Sequence, residues 1–498
     1  MIVAIASCTS KFAASHGKSR MNNTNIFNRF AIYQSIRKTR GVFAATAAVL
    51  FSFLYTGCAN IQSPMGGPKD SFPPVLLKAE PGENTTNFKG NTIKFSFDEY
   101  IKLDRLNENL IINPPAEKYP IINSKLRNLS IKLLDTLQPN TTYTINFGNA
   151  VTDVNEGNPL KNFNYAFSTG AYIDSLELTG KLLDAETGLP DSTQVILLHD
   201  TEEDSAVAKK KARFVTRPNG RGVFHFDHLP TGKFFIFALK DEGLRKYTSN
   251  EIPFAFHDGQ VTTGETDSII LRSFVGEKEP EKKPKSLIGK NEKKTEEKKL
   301  TYQSSVGGSS QDLLGPLTLT FPHRIVSFDT AKIHLTDTLF NPVEGYSLRL
   351  DSTGTRINLQ NNWKESEDYR LILAKGFAAD SAGLTTGKAD TIKFKSKGES
   401  DYGSVKLKIT GVDLSKNPLL QFVENNVIVF TAPLTGPEYN NKLFRPGQYT
   451  LRILYDVNKN GVWDTGNYWQ KLQPEMVLPV EQPVSVKANW DNEIDIRL

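Results

Sequence analysis

The chain has two cysteines in 498 residues, Cys8 and Cys58. Everything after Cys58 is thiol-free, so a disulfide framework is excluded and stability has to come from apolar cores. Net charge is also scarce. Sixty Lys and Arg stand against 55 Asp and Glu, a formal +5 spread along the chain, which argues against a nucleic-acid partner. No sustained helical periodicity is visible beyond the N-terminal region, and no second apolar run is long enough to cross a bilayer. The HExxH, GxSxG, P-loop and CxxC patterns are all absent. There are seven histidines. His225 and His228 flank an expected strand, but no third ligand stands at a recognisable spacing, so no zinc site is expected. Carboxylates are plentiful, yet none stands out as an acid/base pair.

What is present near the N-terminus is an ordered series. Arg37, Lys38 and Arg40 give a positive flank, and Val42 to Tyr55 form an apolar core. Its length suits a signal peptide better than a membrane span. It runs directly into Thr56-Gly57-Cys58. This order resembles the lipobox of bacterial lipoproteins. The resemblance implies cleavage before Cys58, lipidation of its thiol and a membrane anchor, with acyl chains contributing about 0.8 kcal/mol per buried methylene. The pattern departs from the family at Tyr55, where Leu is usual. The long n-region also allows a start at Met21. The alternative is a short buried helix that contains a cysteine.

The rest divides by composition. Residues 58–74 are rich in Gly, Pro and Ser and read as a flexible tether. In 75–170, Ile93, Phe95 and Phe97 alternate with polar residues, as do Leu129, Ile131 and Leu133, and Tyr143, Ile145 and Phe147. Alternation of this kind puts each trio on one face of a strand and predicts an all-β sandwich. The segment Leu137 to Tyr143, the Asp153 loop and the closing Phe167-Ser168-Thr169 together resemble the bacterial Ig-like domain of S-layer and cell-surface proteins. The resemblance implies a tyrosine corner at Tyr143. In 171–275, Leu178-Thr179-Gly180, Asn219-Gly220-Arg221-Gly222 and Leu229-Pro230-Thr231-Gly232 resemble the transthyretin-like, carboxypeptidase-regulatory-like sandwich, whose members are mostly non-catalytic. Residues 276–300 hold nine Lys and six Glu between Glu277 and Lys299, and read as a charged, extended linker.

The second half repeats the first. Tyr369, Asp380 and Phe394 follow one another at nearly the spacing of Tyr143, Asp153 and Phe167, with Tyr369 as the second corner. Gly447 to Asp456 matches Gly232 to Asp241. The expected fold is therefore all-β: tandem sandwiches, the Ig-like and transthyretin-like pair used twice, after a signal segment at 1–57. The second Ig-like copy spans 301–398 and the second transthyretin-like copy 399–498. Trp363 stands where the first copy has Leu137.

The best candidate site is Asp456-Val457-Asn458-Lys459-Asn460-Gly461-Val462-Trp463-Asp464. Its spacing is that of the front of an EF-hand loop. Asp456, Asn458, Asn460 and Asp464 offer side-chain oxygens, Val462 a carbonyl, and Gly461 the bend. Position 12 is Asn467 rather than a bidentate Glu, so calcium binding here would be weak. The alternative is a metal-free hairpin whose Asn and Asp side chains close the turn. Trp469 and Trp490 could stack on sugars or fill a sandwich edge.

Asp-Thr-Leu at 135–137 and Asp-Ser-Ala at 204–206 resemble the O-glycosylation sequon of Bacteroidetes, and the whole arrangement resembles envelope lipoproteins of that phylum. The expectation is a non-enzymatic lipoprotein anchored through Cys58 to the outer membrane, on the periplasmic or the exposed side. It would bind or scaffold envelope proteins or glycans, for instance as an accessory subunit of an outer-membrane protein complex. Residues after Cys58 lack an acidic cluster, which favours the periplasmic side. The alternatives are a glycan-binding adhesin and an enzyme with an unfamiliar site.

Overall fold

The computed structural model describes residues 69–201, 205–240, 246–266, 268–276, 299–306 and 310–498. Cys58 with its lipobox, Asp241 and the charged run 277–298 lie outside the described residues. The strands fall in one compact unit, Ser71–Leu498. Among the described residues, 47% are in strands and 4% in helices, an all-β fold. Among the described residues no helix is long and apolar enough to cross a membrane.

Four sandwiches follow one another. The first holds β1 (Leu76–Glu80), β2 (Thr92–Phe97), β3 (Ile101–Leu103), β4 (Ile111–Asn113), β5 (Ile121–Lys125), β6 (Asn128–Lys132), β7 (Thr142–Gly148), β8 (Val151–Asp153) and β9 (Phe163–Ser168), in sheets β1-β2-β6-β5, β3-β8 and β4-β7-β9. The second holds β10 (Leu176–Asp184), β11 (Gln194–His199), β12 (Phe214–Thr216), β13 (Val223–Leu229), β14 (Lys233–Lys240), β15 (Phe254–Phe256), β16 (Val261–Thr262) and β17 (Ile269–Ser273). Its sheets are β13-β10-β17 and β12-β11-β14-β15, with β16 also on β14.

The third runs β18 (Gln303–Ser304), β19 (Leu317–Thr320), β20 (Ile325–Phe328), β21 (Ile333–Thr336), β22 (Ser347–Leu350), β23 (Arg356–Gln360), β24 (Asp368–Leu373), β25 (Ala378–Asp380) and β26 (Asp390–Lys395). Its sheets, β18-β19-β23-β22, β20-β25 and β21-β24-β26, repeat the first strand for strand. The fourth runs β27 (Gly403–Thr410), β28 (Pro418–Glu424), β29 (Val427–Pro433), β30 (Glu438–Phe444), β31 (Gly447–Tyr455), β32 (Val477–Pro479), β33 (Val484–Val486) and β34 (Asp491–Arg497). It repeats the second, down to the parallel pair: β10 with β17, and β27 with β34.

Alternation explains the first core. Ile93, Phe95 and Phe97 face Leu129 and Ile131 across the β2–β6 ladder and are sealed from solvent. Phe95 meets Phe147, Phe163 and Tyr165 edge-on, the favoured geometry for aromatic rings. The two corners are alike. The Gln138 N–H donates to the Tyr143 hydroxyl at 2.8 Å, and the Lys364 N–H to the Tyr369 hydroxyl at 3.3 Å. Trp363 is buried against Tyr369 and Phe394, and its Nε1 donates to the Gly315 carbonyl at 3.0 Å. Asp153 and Asp380 are buried turn-formers. Asp153 accepts from the N–H groups of Glu156, Gly157 and Asn158, and Asp380 from those of Ala382 and Leu384.

His199 ends β11 inside the second sandwich. It is 2% exposed, edge-on to Phe237, and its Nε2 has no hydrogen-bond partner. Burial pushes its pKa down to about 4, against the smaller pull of Asp200. A base depressed in the folded state costs nothing above its unfolded pKa. It destabilises progressively as pH falls from about 6.5 toward 4. Equilibrium unfolding of His199→Gln, measured between pH 7 and pH 4.5, should therefore lose less stability on acidification than the parent does. Parallel losses would assign the acid sensitivity elsewhere.

Candidate functional site

The second sandwich has an unusual sheet. Every residue of β11 is buried, so the sheet is covered on both faces. Ile196 and Leu198 point into the sandwich with Ile236 and Ala238. Val195 and Leu197 point outward, joining Phe237, Leu239, Tyr247, Phe254, Phe256 and Phe274 in a second cluster. That outer cluster is completed by other modules. Ile111 comes from β4 of the first sandwich and Tyr468 from the fourth.

Tyr468 belongs to the stretch between β31 and β32 that begins with the Asp456 loop. Its ring lies 5.1 Å from Phe254, 5.3 Å from Phe256 and 5.7 Å from Phe237. Polar contacts fix the same arm. Thr465 Oγ1 donates to the Val275 carbonyl at 2.6 Å, and Gln473 Nε2 to the Phe256 carbonyl and to Asp258. Beside it, buried Arg452 on β31 donates from Nε to Gln421 and from a terminal nitrogen to the Glu186 carbonyl at 2.9 Å. Gly188 sits at φ +72, and a Cβ there would come within 2.6 Å of the Val477 carbonyl, so only glycine permits this approach.

The Asp456 loop is the root of the arm. Asp456, 2% exposed, accepts from the N–H groups of Asn460 and Gly461. Asn458 and Asn460 turn their amide nitrogens toward Asp464 Oδ2, at 2.6 and 2.8 Å, while their oxygens take the N–H groups of Asn460 and Val462. Gly461 supplies the bend at φ +82. Lys459, Asn460 and Val462 are exposed or nearly so. Glu475 closes the loop from outside the motif. It accepts the Val457 N–H at 2.7 Å and the Asp464 N–H at 3.2 Å. Burial raises the Glu475 carboxyl above its ordinary value; the two N–H donors pull it down, and the charges of Asp464 and Asp456 push it up. Trp463 Nε1 donates to the Glu475 carbonyl at 3.0 Å. Glu475 stands well beyond position 12, so no loop spacing could have found it.

A cleft of about 540 Å³ opens where the two modules meet, lined by Asp184, Glu186, Asp191, Phe274 and Trp463 among others. Asp184 and Asp191 are engaged by Thr187 and Thr193. His225 pairs with Thr179 and His228 lies beside Asp227. Among the described residues, no three or more His, Cys, Asp or Glu side chains form a group that could hold a metal ion. Trp469 packs on Tyr468 and Tyr247 and is half exposed; Trp490 is exposed beside Lys487.

Residues 70–169 match the family described as the bacterial Ig-like domain, in agreement with the β1–β9 sandwich. No curated protein matches the chain. Similar solved structures include the Bacillus anthracis TIE protein, at 12% identity, covering 87% of this chain and 75% of that one, with a TM-score of 0.16. BcpA, the major pilin subunit of Bacillus cereus, is 9% identical over 64% of this chain and 99% of its own, also at 0.16. The N-terminal part of the bacterial S-layer protein SbsC is 14% identical over 42% and 45%, at 0.15. Likeness at that level does not bear on what this chain does.

Two outcomes are expected. Tyr468→Ala leaves an aromatic-sized hole in the shared cluster, for which about 3 kcal/mol is the usual scale. It should speed hydrogen exchange at Phe254–Phe256, whereas Trp490→Ala should leave exchange and melting unchanged. Calcium reads the loop itself. With its carboxylates and amides engaged as described, the melting midpoint in millimolar calcium should equal that in EDTA. A rise of several degrees would mean that Asn458 and Asn460 turn their oxygens inward around the ion.

Proposed function

We propose that this chain is a non-enzymatic, lipid-anchored envelope protein whose two Ig-like and transthyretin-like pairs fold back on one another to form a scaffold for another envelope component. The observation that carries this reading is the shared outer cluster. Ile111, Phe237, Phe254 and Tyr468 come from three sandwiches and bury one another, so the modules form a body with fixed surfaces rather than a loose string. Rigid surfaces of this kind suit bridging in an assembly. The positive flank, apolar core and Cys58 in sequence support the anchor. The polar side chains of the arm and cleft are occupied in closing turns and joining modules, which supports a structural role for them. The aromatics Trp469 and Trp490 each pack on a neighbour of their own, so the scaffold reading is preferred to the glycan-binding one.

Fractionation tests the anchor. The parent chain should sediment with membranes and Cys58→Ala should appear in the soluble envelope fraction; Cys58→Ala remaining with membranes would remove the lipid anchor from this reading. Crosslinking of the native envelope followed by mass spectrometry tests the scaffold, with a stoichiometric outer-membrane protein as the expected companion.

A further inference from the structure

The joint between the first and second sandwiches holds a group of polar side chains gathered at a bulge. The β10–β13 ladder slips between Leu176 and Leu178, so that Asp227 and His228 together stand opposite Glu177. Such a bulge re-aims the side chains it carries. His228 sits at φ +53, a left-handed backbone that few non-glycine residues adopt. Asp227 reaches the first sandwich: Asn164 Nδ2, on β9, donates to Asp227 Oδ2 at 2.6 Å. The other oxygen, Asp227 Oδ1, lies 3.6 Å from His228 Nδ1. At that separation the pair is a charge contact rather than a hydrogen bond. His228 Nδ1 and Asn164 Oδ1 are both buried atoms without a hydrogen-bond partner.

Asp227, Glu83 from the β1–β2 connection and Glu177 on β10 all act on His228 with negative charge. His225, on the same strand, pairs with Thr179 and lies 3.8 Å from Glu177. The Asp227 carboxylate raises the His228 pKa above its ordinary value; burial opposes the rise, and Glu83 and Glu177 add to it. Burial works against the Asp227 charge, yet His228 and then His225 hold its carboxyl below the ordinary range. The second pair keeps the bulge and changes its chemistry. In β30, the counterpart of β13, the slip between Gly403 and Val405 puts Lys442 and Leu443 where Asp227 and His228 stand, and Ser404 where Glu177 stands. The joint of the third and fourth sandwiches rests instead on Asp312, held by Tyr402 at 2.8 Å and by Arg445 at 2.6 Å. An arginine keeps its charge across the whole physiological range. One joint has a cation that titrates near neutrality, and the other a permanent one.

We propose that Asn164, Asp227 and His228 form a proton-dependent clasp between the first two sandwiches, closed while the His228 ring is charged and slack once it is neutral. A charged ring carries a proton on both nitrogens, so Asp227 has a cation against one oxygen and the Asn164 amide on the other. A neutral ring leaves the carboxylates of Asp227, Glu83 and Glu177 around it with less to offset their repulsion. A base whose pKa is raised on folding stabilises the folded joint fully below its unfolded pKa of about 6.5, and that contribution is lost as pH rises through the folded value. The clasp therefore closes in mild acid and slackens above neutrality, opposite in sign to His199. None of Asn113, Val215 and Ile111 titrates, so the contact of β4 with β12 and its cluster persists and serves as the pivot.

The absence of cysteine after residue 58 makes the test clean. The full chain, with Cys8→Ser and Cys58→Ser and kept in mild detergent, takes spin labels at Lys125→Cys and Arg221→Cys, exposed positions on the first and second sandwiches. Electron–electron resonance reads the distance between them. The distribution should be narrow at pH 6 and broader at pH 9. A control pair at Arg349→Cys and Glu481→Cys, exposed on the third and fourth sandwiches, should be unchanged between the two. His228→Asn, which suits the left-handed backbone and carries no charge, should be broad at both. Deuterium exchange at the histidine ring carbons, followed by mass spectrometry, reads the His228 midpoint directly. It should lie above the ordinary value and fall by about one unit in Asp227→Asn. If His228→Asn does not fold, the parent's distances and the parent's His228 midpoint decide, since neither needs a change in the clasp. Equal distributions at pH 6 and pH 9 in the parent overturn the proposal. So does a pH response that survives His228→Asn, or a His228 midpoint at or below the ordinary value.

Discussion

The outer face of the β12-β11-β14-β15 sheet is apolar and cannot be left to water. Val195, Leu197, Phe237, Leu239, Phe254 and Phe256 all point away from the core of their own sandwich. Exposed, they would form a hydrophobic patch far larger than a stable monomer carries. Ile111 covers one end and Tyr468 another. The rest of the architecture follows from satisfying that face. The first sandwich must lie against β12, and the fourth must send its long β31–β32 connection across to β15.

That requirement gives the Asp456 loop its role. A long connection reaching away from its own sandwich needs a rigid root. The motif supplies one in carboxylates that take backbone N–H groups, amides that brace Asp464, and a glycine at the bend. Glu475 then ties the two ends together. The same residue types that would gather oxygens round a cation gather N–H donors here, because both tasks need several acceptors converging on a tight turn. Placing Tyr468 in the aromatic cluster depends on that root.

The two pairs share one strand order but differ at their joints. The strands and their order are the same in both, so the differences lie in side chains at the joints. Asn113 and Ile111 join the first sandwich to the second; Tyr402, Asp312 and Arg445 join the third to the fourth through hydrogen bonds of 2.6 to 2.8 Å. The first joint covers a sheet edge, while the second grips a loop and leaves β29 uncovered. A repeat can keep its internal packing and change its neighbours because strand order depends on buried alternation, whereas a joint depends on a few surface residues.

What the sequence determined by itself was set by short-range chemistry. Alternation at Ile93, Phe95 and Phe97 specifies which face of β2 is buried. The spacing of Tyr143 to Asp153 and of Tyr369 to Asp380 reveals two copies, and Tyr143 and Tyr369 both stand at corners closed by an N–H five residues back. The Asp456 turn was legible because its side chains act on backbone a few residues away. Tertiary structure alone decided the rest. The run Val195 to Leu198 signals a strand buried on both faces, but not that Tyr468 would cover it from more than 250 residues away. Glu475 reaches the loop only because the chain returns after Tyr468. β29 reads as a short apolar strand until the sheet order places it outermost. Contacts between distant segments depend on which surfaces remain unburied after each sandwich has closed, and local pattern carries no record of that.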